Sequence, residues 1–127
     1  MKKIVILFSL VLMITSVSAQ EKAVSSTADK NKKVAFEVDG VCMMCKARIE
    51  KAALKTKGIK YASWDVDTHQ LSLIMDESKC SEMQAKKAIA AVGHDAGGVI
   101  ADNEVYENLM PCCLYRSESI QEEHDQH

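Results

Sequence analysis

Val34, Phe36 and Val38 alternate with Ala35 and Glu37, the two-residue period of a half-buried strand, and Asp39-Gly40 ends it. From Cys45 to Thr56 the period lengthens. Ile49, Ala52 and Ala53 recur at helical spacing, Arg48, Glu50, Lys51 and Lys55 supply a wet face, and Gly58 suits the helix end. Tyr61 to Val66 then sets Ala62, Trp64 and Val66 on one face, with Trp64 a core candidate, and Leu71 to Met75 does the same with Leu71, Leu73 and Met75. The polar Asp67-Thr68-His69-Gln70 between them predicts a hairpin with a four-residue loop. Ser81-Glu82-Met83-Gln84 fits a capping box, followed by Ala85, Ala88, Ile89 and Val92 at i, i+3, i+4 and i+7, with Gly93 as the stop. A last edge strand is expected around Val99-Ile100, weakened by Gly97-Gly98.

The order β-α-β-β-α-(β) predicts an α+β chain of the ferredoxin-like type, a β-α-β-β-α-β sandwich with an antiparallel sheet and both helices on one face. That topology gathers three loops at one end of the sheet: Asp39 to Met44, Asp67 to Gln70, and Gly93 to Ala96. Cys80 falls at the opposite end. Residues 34–101 form the expected domain, and residues 102–116 a short extension. In it Asp102 or Asn103 caps a helix through Leu109, followed by Met110-Pro111-Cys112-Cys113-Leu114-Tyr115-Arg116. Residues 20–33 are expected to form a flexible leader and residues 117–127 a disordered acidic tail, because neither has the apolar surface to offset its ordering entropy.

The N-terminus changes how composition is read. Met1-Lys2-Lys3, the short apolar run Ile4 to Val17 and the small residues Val17-Ser18-Ala19 make a secretory signal peptide with cleavage expected after Ala19. Cleavage removes two of the 16 basic residues and leaves 14 against 18 acidic ones, so no basic excess remains to hold nucleic acid. The expected location is secreted or periplasmic. All five cysteines lie in the mature part, in an oxidising compartment, and their odd number leaves at least one unpaired or paired between chains.

Cys42-Met43-Met44-Cys45 is the sharpest chemical feature. A two-residue spacer lets both sulfurs reach one centre, and the positive end of the following helix favours thiolate, the soft ligand that selects Cu(I), Zn(II) and related ions. Over Val34 to Ala96 the sequence resembles the heavy-metal-associated domain family, through Gly40, Cys42, Cys45, Arg48-Ile49-Glu50, Gly58-Ile59 and Gly93-His94-Asp95. The resemblance implies that Cys42 and Cys45 bind Cu(I) nearly linearly. It also implies that the ion passes to a metal-transporting or metal-accepting envelope protein by stepwise ligand exchange, without enzymatic turnover. Gly40-Val41-Cys42 is one residue shorter than the family's usual Gly-Met-Thr-Cys and lacks its Met.

Further candidates surround this pair. His94, at the corner after the second helix, is a candidate third ligand or a solvated or capping residue, and His69 in the hairpin is a weaker one. Met43 and Met44 offer thioethers, or apolar contacts to a partner. Tyr106, Leu109, Cys112 and Cys113 resemble the Tyr-x-x-Leu-x-x-Cys-Cys ending of secreted bacterial members of the family. Cys112 and Cys113 therefore read as a second thiol pair folding back to the metal, or as a disulfide, vicinal or to another cysteine such as Cys80. His124 and His127 belong to the solvated tail or capture divalent metal loosely. Mercury, as Hg(II), and zinc remain alternatives to copper, and a shared ion would permit a metal-bridged dimer. Thiol–disulfide exchange at Cys42 and Cys45 is the enzymatic alternative, although the one proline, Pro111, lies far from the motif. An interaction module with the pair oxidised is the plainest reading.

Overall fold

The computed structural model describes residues 27–117. The expected signal peptide and residues 118–127 of the expected tail, with His124 and His127, lie outside the described residues. Three strands, β1 (Lys32–Glu37), β2 (Ile59–Trp64) and β3 (Gln70–Met75), form an antiparallel sheet in the order β1-β3-β2. Helices α1 (Met43–Lys55) and α2 (Glu82–Ala90) cover one face, and α3 (Asn103–Glu107) leads into a 3-10 turn at Pro111–Cys113.

The alternation in the sequence decides which face is covered. Phe36, Trp64, Leu71, Leu73 and Met75 point inward and are buried, while Lys33, Ala35, Tyr61 and Ser72 point to solvent. Ile49, Ala52 and Ala53 of α1 and Ala85 and Ile89 of α2 close the same core. Ser81 caps α2 through a complete capping box, as its sequence predicts. Asp102 caps α3 by accepting the Glu104 N–H.

The element boundaries move by a few residues for local reasons. Strand β1 begins at Lys32 rather than Val34, because Lys32 and Lys33 pair with Met75 and Ile74 and the Lys32 ammonium meets the Glu77 carboxylate. Strand β2 spans Ile59–Trp64 rather than Tyr61 to Val66. Its end is fixed by Asp65, whose carboxylate accepts the N–H groups of Asp67 and Thr68 at 2.9 and 2.8 Å and so turns the chain. The hairpin loop is accordingly residues 65–69, with His69 in the left-handed region at φ 57°.

The fourth strand is reduced to a stub. Ala96 bridges Val38 on the free edge of β1, and it also bridges Val99, so the chain doubles back at once. Gly97 and Gly98, at φ 50° and 88°, make that reversal, which residues with a Cβ adopt rarely. The stub still fixes the corner, since Asp39 N–H donates to the Asp95 carbonyl and Gly97 N–H to that of Glu37, both at 2.9 Å. The loop before α1, the hairpin and the corner after α2 thus meet at one end of the sheet, with Cys80 at the other.

Candidate metal centre

Cys42 is the N-cap of α1, with extended backbone at φ −148° and ψ 172°, and its side chain caps no N–H. Its sulfur is therefore available. Its carbonyl accepts the first helical hydrogen bond, from Lys46 at 3.0 Å. Cys45 lies on the inner face of the first turn, wholly buried, and the two sulfurs are 3.4 Å apart. This turn is fastened to β2, where Trp64 N–H donates to Glu50 at 2.8 Å and the Lys46 ammonium donates to the Trp64 carbonyl. Trp64 in turn donates its indole N–H to the Val38 carbonyl at 3.0 Å and stacks on His69, tying the strand end to the hairpin.

The C-terminal extension brings two further thiols to this end. Cys113 is buried, with its sulfur 3.7 Å from that of Cys42, and Cys112 is exposed, 4.0 Å from Cys113. The sulfurs of Cys42, Cys112 and Cys113 all lie within 4.8 Å of one another. Cys112 also donates its S–H to the Met44 thioether at 3.7 Å. Met44 thus meets the thiols, while Met43 is 65% exposed. All five cysteines are free, so neither disulfide reading of Cys112 and Cys113 describes this structure. Cys80 packs elsewhere, its S–H directed to the Asp76 carbonyl at 3.7 Å.

Residues after the turn hold the extension down. The Tyr115 hydroxyl donates to the Gly93 carbonyl and accepts the Asp95 N–H, both at 2.9 Å. Arg116 donates to Asp95 at 2.6 Å and to the Ala101 carbonyl at 3.1 Å, lies over the Tyr106 ring, and its N–H meets the Tyr106 hydroxyl at 2.8 Å. Tyr115 and Arg116 escaped the sequence reading. The only hint was an aromatic residue beside a cationic one in an otherwise polar extension.

The thiols differ in ease of ionisation. Burial opposes ionisation of Cys42, but the Cys45 and Met44 N–H groups at the helix start, which favour a negative sulfur without forming a capping bond, and the Cys45 and Cys113 thiols outweigh it, so its thiol lies below the ordinary value. Burial pushes the Cys45 thiol up. Cys113 is pushed up further, first by burial and then by the neighbouring sulfurs of Cys45 and Cys42. Cys42 is therefore the easiest of the three to ionise and the first to offer a thiolate to a soft cation.

Spacing indicates the coordination such a cation would find. With a metal–sulfur bond of about 2.3 Å, sulfurs lie about 4.6 Å apart across a linear site and about 3.8–4.0 Å apart in a tetrahedral or trigonal one. The separations of 3.4 to 4.0 Å suit three or four sulfurs better than a linear pair.

His94 is wholly buried at the same end, yet it stands apart from the thiols. Its Nδ1–H donates to the Asp39 carbonyl at 2.8 Å, which leaves the lone pair on Nε2, and its ring stacks on Tyr115. Burial lowers its pKa, and the Arg48 guanidinium adds to that effect. Two groups of potential ligand atoms lie within 4.8 Å of one another among the described residues, and both omit His94 and Cys45, although Cys45 is 3.4 Å from Cys42 of the first group. The second of these groups joins His69 to Glu37 and Asp39.

No family model matches the chain. It is 33% identical over 97 residues to the copper-transporting ATPase HMA5 of Oryza sativa subsp. japonica, an alignment covering 74% of this chain and 10% of the ATPase. The chain therefore spans about a tenth of that relative. Among solved structures, the CopZ metallochaperone superposes with a TM-score of 0.50 at 30% identity, over 51% of this chain and 98% of the other. Oxidized MerP from Ralstonia metallidurans CH34 superposes with a TM-score of 0.50 at 27% identity, over 52% and 93%.

Proposed function

The chain belongs to the heavy-metal-associated domain family, and from that premise we propose that it binds Cu(I) without catalysing a reaction, to carry the ion or sequester it in the cell envelope. The observation that carries this reading is the convergence of half-buried Cys42 with buried Cys45 and Cys113, whose sulfurs lie 3.4 and 3.7 Å from its own. Three thiols with no oxygen donor among them favour a soft ion over a hard one.

Cys42, half-buried at the helix N-terminus and the most readily ionised of the three, is the first ligand. Cys45 and Cys113 follow, each losing its proton as the cation offsets the repulsion between adjacent thiolates. Transfer proceeds by exchange, with a partner's thiolate replacing one ligand at a time, so that the ion is never released into water. The partner is a metal-transporting or metal-accepting envelope protein, which the exposed Met43 can meet as an apolar contact.

The test is a Cu(I) competition titration on reduced protein without oxygen, comparing the chain with its Cys42→Ser, Cys45→Ser variant. Affinity is expected to fall at least about a thousandfold, roughly 4 kcal/mol. Equal binding by both forms would remove the reading at its central residues. Parallel titrations with Hg(II) and Zn(II) identify the ion held most tightly, and a preference for Hg(II) would replace copper by mercury.

A further inference from the structure

One Cu(I) ion uses two or three sulfurs, and this end of the molecule presents five. Cys45, Cys42 and Cys113 account for one ion. Beyond them lie Cys112, 4.0 Å from Cys113, and the Met44 thioether, 3.7 Å from Cys112. The five sulfurs run from the buried Cys45 outward to the exposed Cys112 and Met44. Cys42, Cys112 and Cys113 make a triangle mutually within 4.8 Å, and its Cys42 corner lies 3.4 Å from Cys45 behind it.

We infer that the chain holds two Cu(I) ions, the inner one on Cys42, Cys45 and Cys113 and the outer one on Cys112 and Met44, with Cys113 and Cys42 bridging the two. This rests on the copper reading above and extends it from one ion to two. A thiolate sulfur keeps enough electron density after binding one soft ion to bind a second, which lets Cys42 and Cys113 serve both ions. Each thiol gives up one proton to solvent as it binds, and no oxidant or reductant takes part. The outer ion sits on the solvent side, where a partner's sulfur reaches it first, and the buried ion lies behind it.

The experiment is anaerobic titration of the reduced full chain with Cu(I) buffered by a chromophoric chelator, followed by native mass spectrometry. The expected result is a monomer carrying two copper ions. Cys112→Ser combined with Met44→Leu, both close in size to the originals and both at exposed positions, is expected to bind one ion with circular dichroism unchanged. Cys45→Ser, which touches only the inner ion, tests the underlying reading separately, because there the inner ion is weakened while the Cys42, Cys112 and Cys113 group stays whole. One ion per chain in the parent protein, or two ions held only by a dimer, would overturn the proposal while leaving the inner site intact. A parent that binds none would instead overturn the copper reading itself.

Discussion

The Cys113 sulfur lies 3.7 Å from that of Cys42, although 71 residues separate them along the chain. The contact depends on Tyr115, whose hydroxyl spans the Gly93 carbonyl and the Asp95 N–H and so sets where the turn at Pro111–Cys113 comes to rest. A bond network at the corner after α2 thereby decides how many sulfurs the loop before α1 meets.

Replacing Tyr115 by Phe keeps the ring against His94 and Tyr106 but leaves a buried carbonyl and N–H without that partner. The expected cost is about 1–3 kcal/mol in urea unfolding. Alkylation of Cys113 by iodoacetamide is expected to accelerate as the extension loosens. Unchanged labelling would show that the hydroxyl does not hold the turn.

Gly93→Ala acts on the same corner from below. Gly93 has φ 101°, and an added Cβ would lie 2.9 Å from Leu109 Cδ2, so the variant combines backbone strain with displacement of the extension. A loss of about 1–3 kcal/mol is expected, together with weaker protection of Cys113 in mass-spectrometric labelling. A fully stable variant would contradict the tight seating of Leu109.

Thiol reactivity ranks the cysteines without any metal. Cys42, half-buried with a lowered thiol pKa, and the exposed Cys112 are expected to react first with limiting iodoacetamide at pH 7. Cys45, Cys113 and Cys80, all buried and all pushed up by that burial, should react last. Cu(I) should then protect the four clustered thiols and leave Cys80 unaffected, as peptide mapping can read.

Acid should loosen the fold through His94. Burial first, and then Arg48, lowers its pKa below 6.5, with the Asp39 carbonyl and Asp95 opposing, while Tyr115 covers the ring. Below about pH 6.5 the unfolded chain takes up a proton that the folded chain refuses. Stability is complete above that value and is lost as pH falls toward the lowered folded pKa, by at most about 1.4 kcal/mol per pH unit. Thermal unfolding between pH 7.5 and 5 should show this slope, and His94→Phe should flatten it. An equal slope in the variant would assign the acid sensitivity to another group.

The strands, the two main helices and the placement of Cys42 and Cys45 at a helix start were legible in the sequence, because periodicity and capping are local. Phe36, Leu71 and Leu73 alternate wherever the strand lies, and Ser81 with Gln84 forms its capping box from four consecutive residues. The meeting of the three loops at one end of the sheet followed from element order alone. Tertiary structure decided what no period encodes. It selected Met44 over Met43 to meet Cys112, buried His94 on a carbonyl, and stopped the fourth strand at Ala96. It also laid the C-terminal thiols on Cys42 through hydroxyl and guanidinium contacts with loop backbone. Such contacts link residues far apart in sequence through non-repeating turns, so their geometry exists only once the sheet and helices have brought those backbone groups together.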